Sequence, residues 1–266
     1  MALKHLRHAP EYANLASTIR AYSFGRRLFY APNIGNWGDA LIHHGTLQFL
    51  HHHQIDCQQL PRLAFAHIRN SLACTGMRLS GAVLLAGGGG AWCRNYEDSR
   101  QFLSICGALF DHVIVLPTTF ELPALDLHHS QVTYFRRDQF RSAESIPHSQ
   151  FCHDMAFFLD LAVSGPAHGK EVGNFFRIDR ERSAASSIPE DNLDLSLNGT
   201  DETDPAGFFQ ALAGHGRIRT DRLHVAIASC LLGLPCDLYP GNYFKSADLF
   251  RSSIETNYSS CSLISW

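Results

Sequence analysis

Short, unbroken apolar runs alternate along the chain with segments in which apolar residues recur at helical spacing. The runs "RRLFYAP" (26–32), "GAVLLAGGGGAW" (81–92) and "HVIVLPTTF" (112–120) predict buried strands, because each is continuous and ends in glycine, proline or polar residues. Between them, "DALIHHGTLQFLHHH" (39–53) and "SRQFLSICGALF" (99–110) predict helices. Unbroken apolar strands separated by helices are typical of a parallel sheet covered on both faces. We therefore expect an α/β protein.

Three polar or glycine-rich loops follow the predicted strands. They contain "NWGD" (36–39), "GGGG" (87–90) and "LPTT" (116–119). Because ligands of parallel α/β sheets bind beyond the carboxyl ends of the strands, one crevice is expected to collect all three loops.

Single residues in these loops are candidates for ligand contact. Four glycines in a row favour close approach of a ligand or loop over a simple turn, which makes Gly88 and Gly89 candidates, and Thr118 lies in the neighbouring loop. Asp39 is expected at a helix N-cap, where its carboxylate can cap the helix, contact a ligand, or do both.

A change of composition divides the chain after the first predicted sheet. The stretch "VSGPAHGKEVG" (163–173) is the strongest linker candidate, since it is rich in glycine and contains a proline. Residues 1–165 are expected to form one Rossmann-like lobe and residues 166–266 a second, compact lobe. The middle of the second unit (188–205) is too acidic and polar to be core.

Composition and charge exclude several classes of function. The 266 residues carry a formal net charge of −3, which offers no basic face for nucleic acid. No apolar run approaches the roughly 18 residues of a membrane span, and the N-terminus lacks the apolar core of a signal peptide. The eight cysteines include no CxxC pair, so they predict reduced thiols in a cytoplasmic protein. The histidine pairs and triplets lack ligand spacing, and no metal site is expected.

The stretch "RIRTDRLHVAIASCLLGLP" (217–235) carries the strongest chemical signal. Its apolar helical run is preceded by Arg222 and His224, and Thr220 or Asp221 is expected to cap the helix. A cation beside the positive end of a helix is unfavourable unless an anion binds there. The pattern favours an anion site with a titratable group alongside. The alternative is that Arg222 forms an ion pair and His224 is a core histidine.

Seven motifs of the chain occur in the same order as in a known protein family. It resembles the polysaccharide pyruvyltransferase family over about residues 28–255, and the TDRLH motif followed by an apolar helix is the most specific part. The motifs are "NIGNWGDALI", "VLLAGGGG", "VIVLPTT", "YFRRDQF", "CHDMAFFL", "FFRIDRE" and "TDRLHVAIASCLLGLPCDLYPGNYFKSADLF". The resemblance implies two Rossmann-like lobes around a cleft, as in glycosyltransferases of the GT-B type. It also implies transfer of pyruvate from phosphoenolpyruvate onto two hydroxyls of a sugar as a cyclic ketal.

The resemblance also implies roles for individual residues. Arg222 and His224 would contact the donor in the second lobe, together with an arginine that maps best onto Arg177, with Arg180 and Arg182 as close competitors. His224 is the natural general acid for the enol carbon, because histidine is the residue type best suited to proton transfer near neutral pH, and the arginines would hold the departing phosphate. Asp39 would orient or deprotonate the acceptor hydroxyl in the first lobe. No cofactor is expected besides the donor substrate.

The implied partners are phosphoenolpyruvate and a sugar or lipid-linked saccharide. A lipid-linked acceptor would bring the protein into peripheral contact with a membrane, and a homo-oligomer is compatible with the sequence. Two alternatives belong to other classes: a GT-B glycosyltransferase using a nucleotide sugar, and a non-catalytic carbohydrate-binding protein. The sequence names neither the acceptor sugar and its linkage nor the carrier lipid.

The chain departs from the family pattern in two places. The second lobe is short, which predicts that part of the usual sheet is missing between Ser183 and Arg217. In "RRDQFRS" the serine stands one place later than in the family pattern, so Asp138 and Ser142 are poorly supported as site residues.

Overall fold

The computed structural model describes residues 6–60, 78–127, 130–160, 169 and 171–266. The strands in these residues are β1 (Arg27–Ala31), β2 (Gln58–Gln59), β3 (Leu79–Ala86), β4 (Phe110–Thr118), β5 (Gln131–Arg136), β6 (Gln150–Phe151), β7 (Val172–Phe175), β8 (Arg217–Thr220), β9 (Cys236–Leu238) and β10 (Cys261–Leu263). They form a six-stranded sheet in the order β2-β1-β3-β4-β5-β6 and a four-stranded sheet in the order β10-β9-β8-β7. All pairings within both sheets are parallel.

Helices connect and cover these strands. The α-helices of the described residues are α1 (Pro10–Ser23), α2 (Trp37–His52), α3 (Asp98–Cys106), α4 (Arg141–Ser145), α5 (Ala206–Ala213), α6 (Leu223–Leu232) and α7 (Lys245–Leu249). Short 3-10 turns lie at Leu6–His8, Gly107–Leu109, Met155–Phe158 and Leu195–Asn198, and a π-helical turn follows α7 at Phe250–Ile254.

Side chains of the first sheet alternate between two apolar layers. On β1, Leu28 and Tyr30 pack in a cluster with α1, whereas Phe29 and Ala31 pack in a cluster on the other face with Leu103 of α3. Successive residues of a strand point to opposite faces, so a sheet covered on both sides needs apolar residues at every position. This confirms the predicted α/β class with parallel sheets.

Helix α1 is an element that the sequence analysis did not predict. Its buried residues Tyr12, Leu15, Ala16 and Ile19 have the spacing of one helical face, and Pro10 stands at its start. Proline is well tolerated there, because the first N–H groups of a helix have no partner inside the helix. The signal for this helix was therefore present in the sequence.

A third apolar cluster joins the second sheet to the rest of the chain. It combines Leu41 of α2 and Phe157 of the 3-10 turn with Phe175, Ile218 and Val225 from the second sheet and α6. The four-stranded sheet therefore packs on side chains that come from both halves of the sequence.

The predicted linker 163–173 lies largely outside the described residues, so the division at 165/166 stays a prediction. Between Ser183 and Arg217 the described chain adds no strand to either sheet, and this region instead holds the turn Leu195–Asn198 and α5. The second sheet is accordingly small.

The described cysteines are free thiols, all buried except the half-buried Cys57, in agreement with the prediction of reduced thiols. Among the described residues, no helix is long and apolar enough to cross a membrane. The same residues contain no group of three His, Cys, Asp or Glu side chains placed to hold a metal ion.

Candidate active site

A cleft of about 320 Å³ lies where the carboxyl ends of strands from both sheets meet. Its walls come from segments that follow β1, β3, β5, β7 and β8, as expected for parallel sheets. The residues that line it are Asn33, Ile34, Gly35, Asn36, Asp39, Gly90, Ala91, Tyr96, Asp98, Arg137, Arg177, Asp179, Glu181, Ser196, Arg222, Leu223, His224 and Lys245.

The TDRLH segment is fixed to the neighbouring strand by its own side chains. Thr220 Oγ1 donates to the carbonyl of Phe175 (2.6 Å) and accepts from the N–H of Arg222 (2.9 Å). Asp221 Oδ1 accepts from the N–H of Arg177 (2.7 Å). These bonds tie the end of β8 to the end of β7, and they set Arg177 and Arg222 side by side.

The predicted cap of α6 is wrong. The N-cap residue is Arg222, and neither Thr220 nor Asp221 caps the helix, because both side chains are used between β7 and β8. Helix α6 thus receives no capping hydrogen bond from its N-cap side chain. Its first N–H groups lie at the cleft beside Leu223 and His224, an arrangement that suits an anion.

Arg222 is almost fully buried and is held by two carboxylates. Its Nε and Nη2 donate to Asp194 Oδ1 (2.9 Å) and Oδ2 (2.6 Å), and its Nη1 lies 2.9 Å from Asp179 Oδ2. Arg222 thus forms the ion pairs of the alternative considered for the sequence, and it also lines the cleft.

Arg177 lies beside it in a second ion-pair network. Its Nε lies 2.9 Å from Asp179 Oδ1, and its Nη1 pairs with Glu181. Glu181 also accepts from Lys245 Nζ (2.5 Å) and Tyr243 Oη (3.0 Å). Burial alone would raise the pKa of Glu181, but Lys245 and Arg177 lower it to about 2. Glu181 is therefore an anion that holds two cations at the cleft.

The other arginines of the same segment do not line the cleft. Arg180 is exposed, and its guanidinium stacks on the ring of Tyr96 at 4.5 Å, whereas Arg182 donates to the carbonyl of Ser186 (2.6 Å). Of the three competing arginines, Arg177 is the one at the cleft wall.

His224 faces a buried carboxylate from the first half of the chain. Its Nε2 lies 3.8 Å from Asp154 Oδ2 and makes no hydrogen bond within the described residues, whereas Asp154 Oδ2 accepts from Arg137 Nη1 (2.6 Å). Asp154 is fully buried and caps its own 3-10 turn through Ala156. Burial would raise the pKa of Asp154, but Arg137 and His224 lower it well below its usual range. An ionised carboxylate therefore stands behind His224.

Asp39 also lines the cleft, at a different helical position from the predicted one. The N-cap of α2 is Asn36, whose side chain accepts from the N–H of Gly38 (2.8 Å). Asp39 stands three residues later and accepts from the N–H of Asn36 (2.9 Å), which completes a capping box. The predicted N-cap role is therefore wrong, although Asp39 does lie in the cleft wall.

Helices α2 and α6 meet at their first turns. A Cβ atom at Gly38 would lie 2.7 Å from Nδ1 of His224, so only glycine leaves room for the imidazole. Two helix N-termini and their positive dipole ends thus converge beside His224.

Gly88, Gly89 and Thr118 are not among the residues that line the cleft. A Cβ at Gly88 would lie 2.3 Å from the Pro117 carbonyl, and Gly89 has φ +134° and bridges to Thr118. These glycines allow close packing of the two loops rather than ligand contact. Gly90 and Ala91 are the residues of this loop that reach the cleft. Asp138 and Ser142 likewise bond each other, away from the cleft lining.

Sequence reasoning did not identify several charged residues of the site. The resemblance motifs contained all of them except Asp194, but nothing local distinguished them from ordinary surface or core charges. They are Arg137, Asp154, Asp179, Glu181, Asp194 and Lys245.

Comparison with known proteins agrees with this picture. A model of the polysaccharide pyruvyl transferase family matches residues 36–236, which include every predicted site residue. Among solved structures, a functionally uncharacterized protein from Klebsiella pneumoniae subsp. pneumoniae NTUH-K2044 is similar over 95% of this chain and 97% of its own, with a TM-score of 0.75 and 24% sequence identity. At that identity the likeness concerns the fold. No curated protein matches the chain.

Proposed function

Because the chain belongs to the polysaccharide pyruvyl transferase family, whose name indicates pyruvyl transfer in polysaccharide biosynthesis, we propose that it transfers pyruvate from phosphoenolpyruvate to a sugar. The product would be a cyclic ketal formed with two hydroxyls of the acceptor. The two sheets would correspond to the lobes of a GT-B-like arrangement, with the donor on the four-stranded side. The free thiols favour the cytoplasm as the site of the reaction.

The convergence of cations and one imidazole on a single cleft supports this proposal most directly. Arg177, Arg222 and His224 come from the ends of two adjacent strands, and Arg137 and Lys245 face the same space. Phosphoenolpyruvate carries a phosphate and a carboxylate, and planar guanidinium groups beside a helix N-terminus match both. A non-catalytic sugar-binding protein would need neither this cation cluster nor an imidazole backed by a carboxylate.

The first proposed step joins one acceptor hydroxyl to the donor. His224 protonates the methylene carbon of the enol, the neighbouring carbon gains cationic character, and the hydroxyl oxygen bonds to it and loses its proton. The ionised carboxylate of Asp154, 3.8 Å from Nε2, would stabilise the charged form of the imidazole before the transfer. Asp39, which lines the same cleft, orients the hydroxyl or accepts its proton.

The second proposed step expels phosphate. A second acceptor hydroxyl bonds to the same carbon, the carbon–oxygen bond to phosphate breaks, and the arginines stabilise the departing dianion. This step needs no redox partner, and arginines can neutralise the donor without a metal ion.

Donor titration by calorimetry tests the assignment. Each charge-assisted contact contributes about 1.5–3 kcal/mol, so Arg177→Ala and Arg222→Ala should each weaken phosphoenolpyruvate binding roughly ten- to a hundredfold. Lysine at either position should restore only part of the affinity, because it lacks the bidentate fork. Arg217→Ala is the matched control: Arg217 forms a similar bidentate pair with Asp237, but on the exposed strand surface.

Three results would count against the proposal. Unchanged donor affinity in Arg222→Ala would show that the donor does not bind in this cleft. Tighter binding of a nucleotide sugar than of phosphoenolpyruvate would favour the glycosyltransferase alternative. Activity that is lost in a chelator and restored by a divalent metal would contradict the metal-free mechanism.

A further inference from the structure

Asp179 lies between the two arginines of the cleft and contacts both. Its Oδ1 lies 2.9 Å from Arg177 Nε, and its Oδ2 lies 2.9 Å from Arg222 Nη1 and 3.3 Å from Arg177 Nη2. The side chain is one-quarter exposed and lines the cleft. One carboxylate therefore bridges the two guanidinium groups on the side where a ligand would approach.

Two other carboxylates hold the same arginines from within the protein. Asp194 binds Nε and Nη2 of Arg222, and Glu181 binds Nη1 of Arg177. Both are almost fully buried, with side-chain exposures of 3% and 1%. Every guanidinium nitrogen of Arg177 and Arg222 thus lies near a carboxylate oxygen, although Arg177 Nε makes no hydrogen bond within the described residues. Asp179 is the most exposed of the three carboxylates.

The formal charges that line the cleft also show that its cations are already paired with carboxylates. The lining contains the cations Arg137, Arg177, Arg222 and Lys245 and the carboxylates Asp39, Asp98, Asp179 and Glu181. An entering dianion therefore meets cations that are already neutralised. Burial would raise the pKa of Asp179, but Arg177 and Arg222 lower it, so Asp179 competes as a charged group.

We propose that Asp179 is a displaceable carboxylate. It holds the guanidinium groups of Arg177 and Arg222 side by side and competes with the anionic ligand for their N–H groups. A phosphate binds guanidinium groups with the same planar, bidentate geometry as a carboxylate, so it can take over these contacts while Asp179 turns toward solvent. When phosphate leaves, Asp179 pairs again with the arginines. The inference rests on the proposed function only for the identity of the donor, since the competition applies to any phosphate-bearing ligand.

Removing the charge of Asp179 should therefore strengthen anion binding. Asp179→Asn keeps the size of the side chain and its acceptor for the N–H of Glu181, but it no longer competes as an anion. We expect it to bind phosphoenolpyruvate and inorganic phosphate about tenfold more tightly, because the ligand no longer displaces a charged contact. Asp179→Glu keeps the charge and should show no such gain.

Asp194→Asn is a control that should change anion affinity in the opposite direction. It removes the inner carboxylate that orients Arg222, so it should weaken binding of both ligands. The measurements are calorimetric titrations of the parent and the three variants with phosphoenolpyruvate and, separately, with inorganic phosphate. In steady-state kinetics, Asp179→Asn should lower the KM for the donor and the inhibition constant of phosphate without raising kcat.

The outcomes separate this inference from the proposed function. If folded Asp179→Asn binds both ligands as weakly as the parent or more weakly, Asp179 is not a competitor and the inference is overturned. If Asp179→Asn does not fold, Asp179→Ser carries the same expectation. Suppose that neither the parent nor Asp179→Asn binds phosphoenolpyruvate, but Asp179→Asn binds phosphate more tightly than the parent. The inference about Asp179 is then supported and the proposed donor is wrong. Failure of every variant to bind phosphate would overturn both.

Discussion

His224 lies between the cleft and a buried ion pair. Asp154 and Arg137 stand behind its imidazole, and the first turn of α2 stands beside it. A side chain held on two sides has few alternative orientations. We interpret this packing as the feature that fixes the orientation of the imidazole at the cleft wall.

Replacement of His224 should strongly slow transfer without unfolding the protein. General acid catalysis typically contributes 10²–10⁴-fold, so His224→Gln should lower the rate of phosphate release by about that factor. The measurement is phosphate release from phosphoenolpyruvate in the presence of an acceptor. His148→Gln, at an exposed histidine outside the cleft lining, should be unaffected. Near-normal release by His224→Gln would remove His224 from the proton-transfer role.

Asp221 should make stability depend on pH. Burial raises its pKa to about 6, and the N–H of Arg177 and the two nearby arginines oppose that rise only in part. Its Oδ2 is buried and makes no hydrogen bond within the described residues. Between the unfolded pKa of about 3.9 and a folded pKa near 6, the folded state binds more protons, so stability falls as pH rises through this window.

Asp221→Asn should remove that dependence. At pH 7.5 it should raise the free energy of unfolding by about 1–3 kcal/mol, since the cost of a buried, incompletely paired charge disappears. Urea denaturation of parent and variant at pH 5 and pH 7.5 measures the effect. A variant that is less stable than the parent at pH 7.5 would show that the charge of Asp221 contributes net stability through Arg177 and Arg222.

Among the elements, the decisive contact is between the first turns of α2 and α6. Each helix brings its N-terminus to the cleft, and each carries one proposed reactive group, Asp39 and His224. Gly38 allows the two turns to approach. The spacing of these two proposed groups therefore depends on Gly38, which takes no part in the proposed reaction.

Gly38→Ala should lower kcat while donor binding persists. The added methyl would lie 2.7 Å from His224 Nδ1, so the imidazole must move, whereas Arg177 and Arg222 keep their ion pairs. A displacement of this kind can reduce the rate by about a hundredfold. Gly214→Ala is the matched control, because its Cβ meets no atom within 4 Å and its φ is −73°. Equal kcat values for the two variants would contradict the proposed geometry.

For the whole molecule, the shared apolar cluster joins the two sheets. Leu41 and Phe157 pack with the second sheet, and Gly35 and Trp37 of the first half hydrogen-bond to Asp201 and Asp204. A structural unit that completes its core with side chains from another unit has no separate core of its own. We therefore expect the two sheets to unfold together.

Hydrogen-exchange mass spectrometry in increasing denaturant tests this expectation on the full chain. Peptides from β3 and β4 should lose protection at the same denaturant concentration as peptides from β8 and β9. Earlier opening of the second sheet would instead support independently stable lobes divided near residue 165. The parent protein serves for both readouts, so no variant is needed.

The sequence by itself determined the elements whose cause is local. Buried parallel strands need apolar residues at every position, and this pattern predicted β1, β3 and β4. Helix α1 has an equally local signal in its spacing of buried residues and could have been found the same way. Arg222 and His224 were identified because a cation at the start of an apolar helix is unusual for a core helix.

Tertiary structure decided which charges meet, because these partners are far apart in sequence. Arg177 and Asp221 are separated by 44 residues, and Arg222 and Asp194 by 28. Asp154 joins His224 only because β6 brings its turn beside α6. The cap of α6 was mispredicted for the same reason, because Thr220 and Asp221 bond to the end of the adjacent strand. The cap of α2 is different, since the capping box of Asn36 and Asp39 is local. Local spacing in the sequence predicts which side chains lie at the ends of strands and helices. The arrangement of the two sheets determines which of these side chains share a cleft.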